Sequence, residues 1–352
     1  MAYGEIVLER AKTILPQFGI DAAEVNPMGT GLINQTFLVR TADHAQFVLQ
    51  RLNPIFSSAI NVDIDVVTRQ IETAGHPTPR LVPAQHGQLW VESAGETWRV
   101  LTYVAGVCCD TLEDPHQARE AGALLARFHL ILSKLQHEFV NVRPGSHDTA
   151  RHLKALRNVL DSRQDHPSYV EIAPLAKEIL SLAAQLPVLP VLPDRAVHGD
   201  PKISNVVFDD ADGKAICMID FDTLTRMPLP LELGDAFRSW CNPAGEDTPQ
   251  TRFSLELFAM AISGYASVAS GFIEPEERSS VVSATRMIML ELAARFCADA
   301  LTESYFAWNS NKFSNRSEHN RVRAEGQLAV YRSLTSQVDE AERLADQAFS
   351  LV

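Results

Sequence analysis
The stretch from Val197 to Asp222 limits the folds open to this chain more than any other. It is a β-patterned island in a half of the sequence otherwise patterned for helices. Two short apolar runs, "VVFD" and "AICMID", are joined by the turn "DDADGK", the pattern of a hairpin. Around it, "HQAREAGALLARFHLILSKL" puts Ala118, Ala121, Leu125, Phe128 and Leu132 on one helical face, and helical patterns recur over 168–186, 250–270, 277–301 and 318–348. The first hundred residues read differently. A helix over 3–18 precedes two strands, "TFLVR" and "QFVLQR", then a helix over 61–73, and then the strand candidates "GQLWVES" and "TWRVLTYV". "GHPTPRLVP" ends that second helix, because each Pro disfavours helix in the residue before it. The fold class predicted is α+β with two lobes: a β-rich N-lobe over 1–104 with an antiparallel sheet, a crossing segment over 105–112, and a mainly helical C-lobe over 113–352 that carries the hairpin.

The entrance to the hairpin, "HGDPKISN", packs His198, Asp200, Lys202 and Asn205 into eight residues. A capped turn would account for some of them. The spacing H-x-D-x-x-x-x-N also suits phosphoryl transfer, where the Asp takes the proton of the attacking hydroxyl and the Asn returns beside it to hold Mg²⁺. On that reading Asp200 is the base, Asn205 a metal ligand, Lys202 a cation for the transferred phosphate, and His198 an orienting residue. Gly199 stands where protein kinases commonly have Arg. The second strand ends in "CMIDFD", which matches a strand-Asp-Phe-Gly element with Asp220 as a further metal-holding carboxylate and Asp222 in place of Gly. A hairpin returns Asp220 beside the loop, so carboxylates and an amide converge as Mg²⁺ and ATP require.

The N-terminal half should then supply a phosphate-covering turn and a cation. "MGTGLINQTFLVR" places Gly29 and Gly31 before a strand, with Asn34 where a third Gly would complete GxGxxG. Arg51 falls at the Lys position of V-A-I-K, with Gln50 one register away. Its acidic partner is expected on the next helix at Asp63 or Asp65, with Asp65 preferred. The adenine-contacting hinge is expected over Leu101–Val104, including Leu101 and Tyr103.

The loop and the "IDFD" pair resemble the aminoglycoside phosphotransferase and choline kinase superfamily. That resemblance implies the protein-kinase-like fold without a long activation segment; Asp220 and Asp235 are too close to accommodate one. It also implies that Asp235 of "LELGDAFRSW" braces the catalytic loop. Further stretches, "GLINQTFLV", "LQRLN", "WRVLTYV", "LELAARFCADALTESYF" and "HNRVRAEGQ", are similar to the N-acetylhexosamine 1-kinases. This implies ATP and Mg²⁺ as cofactors and the anomeric hydroxyl of a sugar as acceptor. It also implies Asp200 and Arg323 as sugar-binding residues; Leu32 stands where the family often has His. Arg238, Arg295 and Glu291 are further hydrogen-bonding candidates, with Trp240 or Trp308 as an apolar platform. Arg295 and Glu291, four apart on a helix, could equally pair with each other. An amino alcohol or aminoglycoside is the alternative acceptor, and a silent kinase-like binding protein is the alternative class.

Formal charge is −13, which argues against a nucleic-acid partner. No apolar run is long enough to span a membrane. Cys108, Cys109, Cys217, Cys241 and Cys297 form no CxxC pair, the pattern of reduced thiols in a cytoplasmic protein. The expected partner is a small molecule, and the expected state a monomer or homodimer.

Overall fold
The structure is a computed structural model; it describes residues 3–29, 33–141 and 147–351. The described residues fall into two compact units. The first runs to Ala105 and takes in the stretch from Leu135 to Asn141; the second is Gly106–Lys134 and the described residues from His147 onward.

The first unit is built on an antiparallel sheet of β1 (Ala22–Pro27), β2 (Gln35–Thr41), β3 (Gln46–Arg51), β4 (Val91–Ser93) and β5 (Glu96–Thr102). Their order is β1-β2-β3-β5-β4. Helix α1 (Tyr3–Ile14) covers one face: Val7, Ala11 and Ile14 pack with Phe37, Leu49, Trp98 and Val100. Alternation along the strands therefore sends Gln50 and Arg99 to the other face. There Arg99 reaches Asn61 of α2 (Ile60–Thr73). The expected helix over 3–18 is α1 followed by a 3₁₀ turn at Leu15–Phe18, because Pro16 interrupts the backbone bonding.

The second unit is helical: α3 (Pro115–Leu132), α4 (Thr149–Ser162), α5 (Tyr169–Ala183), then α6 (Leu229–Trp240), α7 (Leu255–Ala269), α8 (Pro275–Thr302), α9 (Arg316–Thr335) and α10 (Val338–Ser350). Local chemistry sets the starts. The Asp114 carboxylate accepts from His116 N before α3, and Glu274 and Glu277 close a reciprocal capping box at α8. Helices α3 and α7 touch backbone to backbone: a Cβ on Gly122 would lie 2.0 Å from Ala261 O, and one on Gly264 2.0 Å from Arg119 O. The pattern over 318–348 is two helices, since α10 turns back to pack on α7 and α8.

Between α5 and α6 lie β6 (Asp194–Val197), β7 (Val206–Phe208), β8 (Ala215–Met218) and β9 (Thr225–Pro228). The pair β7–β8 is the expected hairpin; β6 pairs with β9 in a second ribbon that the sequence pattern did not announce. These two ribbons hold the loop at 198–205 and the Asp220 turn side by side. Among the described residues, no helix is long and apolar enough to cross a membrane.

Candidate active site
The loop after β6 is held by bonds to its backbone. Glu232, in the first turn of α6, accepts from His198 N (2.9 Å) and Gly199 N (3.0 Å) with its two carboxylate oxygens. The Thr223 hydroxyl donates to His198 O (3.1 Å), Ser239 Oγ accepts from Ile203 N (3.1 Å), and Trp240 Nε1 donates to Pro201 O (2.8 Å). Trp240 is fully buried and committed to this bond, so it is a brace and not a sugar platform. The bracing role expected of Asp235 belongs instead to Glu232. Asp235 accepts from Arg238 Nε at 2.7 Å, one turn further along the helix and facing a different neighbour. Glu232 could have been suspected as an acid in the first turn of a helix that follows the loop, but only the fold places it under the loop's amides.

Gly199 answers why no larger residue stands there. Its φ is +83°, and a Cβ would meet Thr223 O at 2.1 Å. His198 Nε2 lies 2.9 Å from Ile219 O and its ring packs on Phe221 at 5.2 Å, so His198 ties the loop to the Asp220 turn. Asp220 itself has φ +65°, an unusual value for a non-glycine residue. The Ile219 N–H donates to Asn205 O (2.9 Å), which closes the hairpin base.

The polar side chains converge. Lys202 Nζ donates to Asp200 Oδ2 at 2.7 Å. Asn205 Nδ2 donates to Asp200 O (2.9 Å) and lies 3.4 Å from Oδ2. Both contacts use Oδ2; no donor among the described residues takes Oδ1. Burial works against the Lys202 ammonium, but the charges of Asp200 and Asp220 outweigh it and hold its pKa up. Asp200 and Asp220 therefore act on the same cation. For Asp200, burial pushes upward, and Lys202 and Arg238 outweigh it, so the carboxyl titrates below its usual range.

The candidate acceptor residues lie on α6, α8 and α9, with Trp308 in the segment between α8 and α9. Arg238, 5 % exposed, is paired with Asp235 and Glu246, so it sets local charge balance and is not a free ligand for an acceptor. Arg323 donates to Asp247 (3.1 Å) and to Ala307 O (3.1 Å), above the Phe296 ring. Burial pushes Asp247 up, but the His319 hydrogen bond and Arg323 bring it down to about 2. Glu291 does not pair with Arg295. It is bound by His147 Nδ1 (3.1 Å) and the Thr149 hydroxyl (2.6 Å), and Arg295 lies over the rings of Tyr305 and Phe306. Trp308 is half-buried.

In the first unit, Gly29 has φ +75°, and Gly31 and Leu32 lie outside the described residues. Asn34 Oδ1 accepts from Asn53 N (2.9 Å), fixing the end of the β1–β2 turn against the segment after β3. The expected Arg51–Asp65 pair does not form. Arg51 lies on the α1 face and pairs with Glu96 at 2.6 Å, while Asp65 holds Arg69 and Arg80. Asp63 is also taken: it accepts from His137 Nε2 (2.7 Å), Val140 N and Asn141 N. A one-residue shift along a strand reverses the face, and β3 is read correctly only once α1 is seen against it. Leu101 is buried and pairs as an isolated bridge with Leu81; Tyr103 follows it, half-buried, just past β5.

An α+β chain with an antiparallel N-terminal sheet and this loop–hairpin constellation in a helical second part has the kinase-like fold of small-molecule phosphotransferases. A model of the phosphotransferase enzyme family (APH) matches residues 24–269, and the chain belongs to that family. Its fold is similar to that of a microcompartment-associated aminopropanol kinase (16% identity, 96% of this chain and 99% of that one, TM-score 0.63). It is also similar to amicoumacin kinase in complex with AMP-PNP and Ca²⁺ (14%, 93% and 94%, 0.62). Choline kinase from Cryptosporidium parvum Iowa II gives 14%, 98% and 99%, and 0.61.

Proposed function
We propose that this phosphotransferase moves the γ-phosphate of ATP to a hydroxyl of a small neutral acceptor, with Asp200 as base. The observation that carries the reading is the Asp200–Lys202 pair on a loop whose backbone is fixed at both ends, with the Asp220 turn tied beside it through Ile219. The acceptor O–H gives its proton to Asp200 Oδ1, the oxygen that Lys202 and Asn205 leave open. A new O–P bond forms to the γ-phosphorus as the bond to the bridging oxygen breaks, and ADP departs. The lowered pKa keeps Asp200 ionised at neutral pH. Lys202 is placed to meet the negative charge of the phosphoryl group.

A Mg²⁺ ion fits the donor chemistry, which is hard oxygen. Asp220 and the amide oxygen of Asn205 are the residues that would hold it; Asn205 uses its nitrogen on Asp200, which frees that oxygen. The bound ion would neutralise phosphate charge. Among the described residues no group of three or more His, Cys, Asp or Glu could hold a metal without such help.

For the acceptor, the arrangement favours a neutral polyol over a cation. Several carboxylates of the helical unit already hold basic partners: Asp235 and Glu246 hold Arg238, Asp247 holds His319 and Arg323, and Glu291 holds His147. An ammonium acceptor bound at any of these would have to displace that partner. A sugar needs hydrogen bonds and an apolar surface, and the anomeric hydroxyl of an N-acetylhexosamine or a related sugar is the proposed target. The test is ATP consumption with Mg²⁺ against free hexoses, N-acetylhexosamines, amino alcohols and aminoglycosides. Turnover with an N-acetylhexosamine is expected. Turnover that demands an amine and ignores every sugar would reject the acceptor assignment, and no nucleotide binding at all would reject the enzyme.

A further inference from the structure
Across three strands of the first unit, on the face away from α1, runs a row of polar side chains. Thr36 of β2 stands directly opposite Gln50 of β3, and Gln50 directly opposite Arg99 of β5. Arg99, 2 % exposed, donates from Nε to Gln50 Oε1 at 2.9 Å and from a terminal nitrogen to Asn61 Oδ1 of α2 at 3.4 Å. A guanidinium has no acceptor, so it fixes which end of the Gln50 amide faces it: the oxygen. The NH₂ must then point the other way. One of its hydrogens meets Thr36 Oγ1 at 3.2 Å, and the second has no partner among the described residues. Gln50 is half-buried, so that hydrogen is available to a ligand.

Kinases place a β3 lysine on the nucleotide phosphates and pair it with an acid of the following helix. Here the same face offers an amide from β3, a guanidinium one strand over on β5, and an amide from α2. Arg51 lies on the opposite face with Glu96. We propose that Gln50 donates its free amide N–H to the nucleotide phosphates and that Arg99 is a positioning residue behind it, fixing the amide and polarising it toward an anion. The proposal rests on the ATP-dependent reading above.

The test is calorimetric binding of Mg-ATP and of adenosine to the full chain and to Gln50→Glu, Arg99→Lys and Arg51→Gln, with a thermal melt of each. Gln50→Glu keeps and strengthens the contact to Arg99 but turns a carboxylate toward the phosphates. The expected result is a tenfold or greater loss of ATP affinity with adenosine affinity within twofold of wild type and an unchanged melt. Arg99→Lys keeps the charge but loses the fork that holds the amide, and should also weaken ATP more than adenosine. Wild-type ATP affinity in Gln50→Glu overturns the proposal, as does a loss of ATP affinity confined to Arg51→Gln. Equal losses for ATP and adenosine in Arg99→Lys reduce Arg99 to a structural part and overturn its positioning role. Failure of the unsubstituted protein to bind ATP would instead sink the enzymatic reading itself.

Discussion

The loop at 198–205 and the row through Gln50 are both polar constructions beside apolar strands, but they are held in different ways. The loop is fixed through its backbone: Glu232, Ser239, Thr223 and Trp240 each bond a main-chain N–H or C=O. The row is fixed side chain to side chain, through Thr36, Gln50, Arg99 and Asn61. Backbone anchoring determines where every side chain of the loop begins, which suits a group that must sit within hydrogen-bond reach of a reacting hydroxyl. A side-chain row can change one amide's direction without moving the strand beneath it, which suits recognition of a mobile polyphosphate. The contrast predicts that damage to the loop's anchors spreads to the whole site, while damage to the row stays with the nucleotide.

The largest effect should come from the loop's own base. Asp200→Ala should lower turnover by about 10²–10⁴-fold, the usual worth of a positioned general base, while Mg-ATP still binds. Steady-state kinetics beside calorimetry checks this, and undiminished turnover would remove Asp200 from the chemistry. Next come the two anchors compared directly. Glu232→Ala strands two buried N–H groups that now bond a carboxylate, and about 3–5 kcal/mol of stability should be lost. Asn61→Ala in the row should cost about 1 kcal/mol. Denaturant titrations of both variants measure the gap, and equal costs would erase the distinction between the regions.

Gly199→Ala should follow, at about 3 kcal/mol with loss of activity. It forces a side chain into a left-handed backbone and against Thr223 O. The smallest expected effect is a pH slope. Burial pulls the His147 pKa down, but the bond to Glu291 and the charges of Asp235 and Glu291 outweigh it, so the folded pKa is raised. Its stabilisation is full below the unfolded value of about 6.5 and is lost as pH rises through the folded pKa. Stability measured across that window should decline in the wild type, and the decline should shrink in Glu291→Gln.

Much of the second unit was legible because its signals are short-range. His198, Asp200 and Asn205 and the end of "CMIDFD" flank a single hairpin, whose geometry returns one end beside the other. The helix periods in "HQAREAGALLARFHLILSKL" and over 277–301 were visible for the same reason. The first unit was less transparent at the residue level. Choosing between Gln50 and Arg51 requires knowing which face α1 covers, and finding a partner for Arg51 requires the strand neighbour that carries Glu96. The bracing role expected of Asp235 falls to Glu232, three positions earlier on α6, and Arg238, expected at the acceptor, is taken up by Asp235 and Glu246, because only the packing of the helix decides what each position meets.

By itself the sequence determined that a hairpin bearing Asp200, Asn205 and Asp220 interrupts a helical half, because turn residues and two-residue alternation act over a few positions. The tertiary structure alone decided which acid holds the loop, which face Gln50 occupies and which cation stands behind it. Those choices depend on elements separated by tens of residues, and no local pattern in the chain encodes their approach.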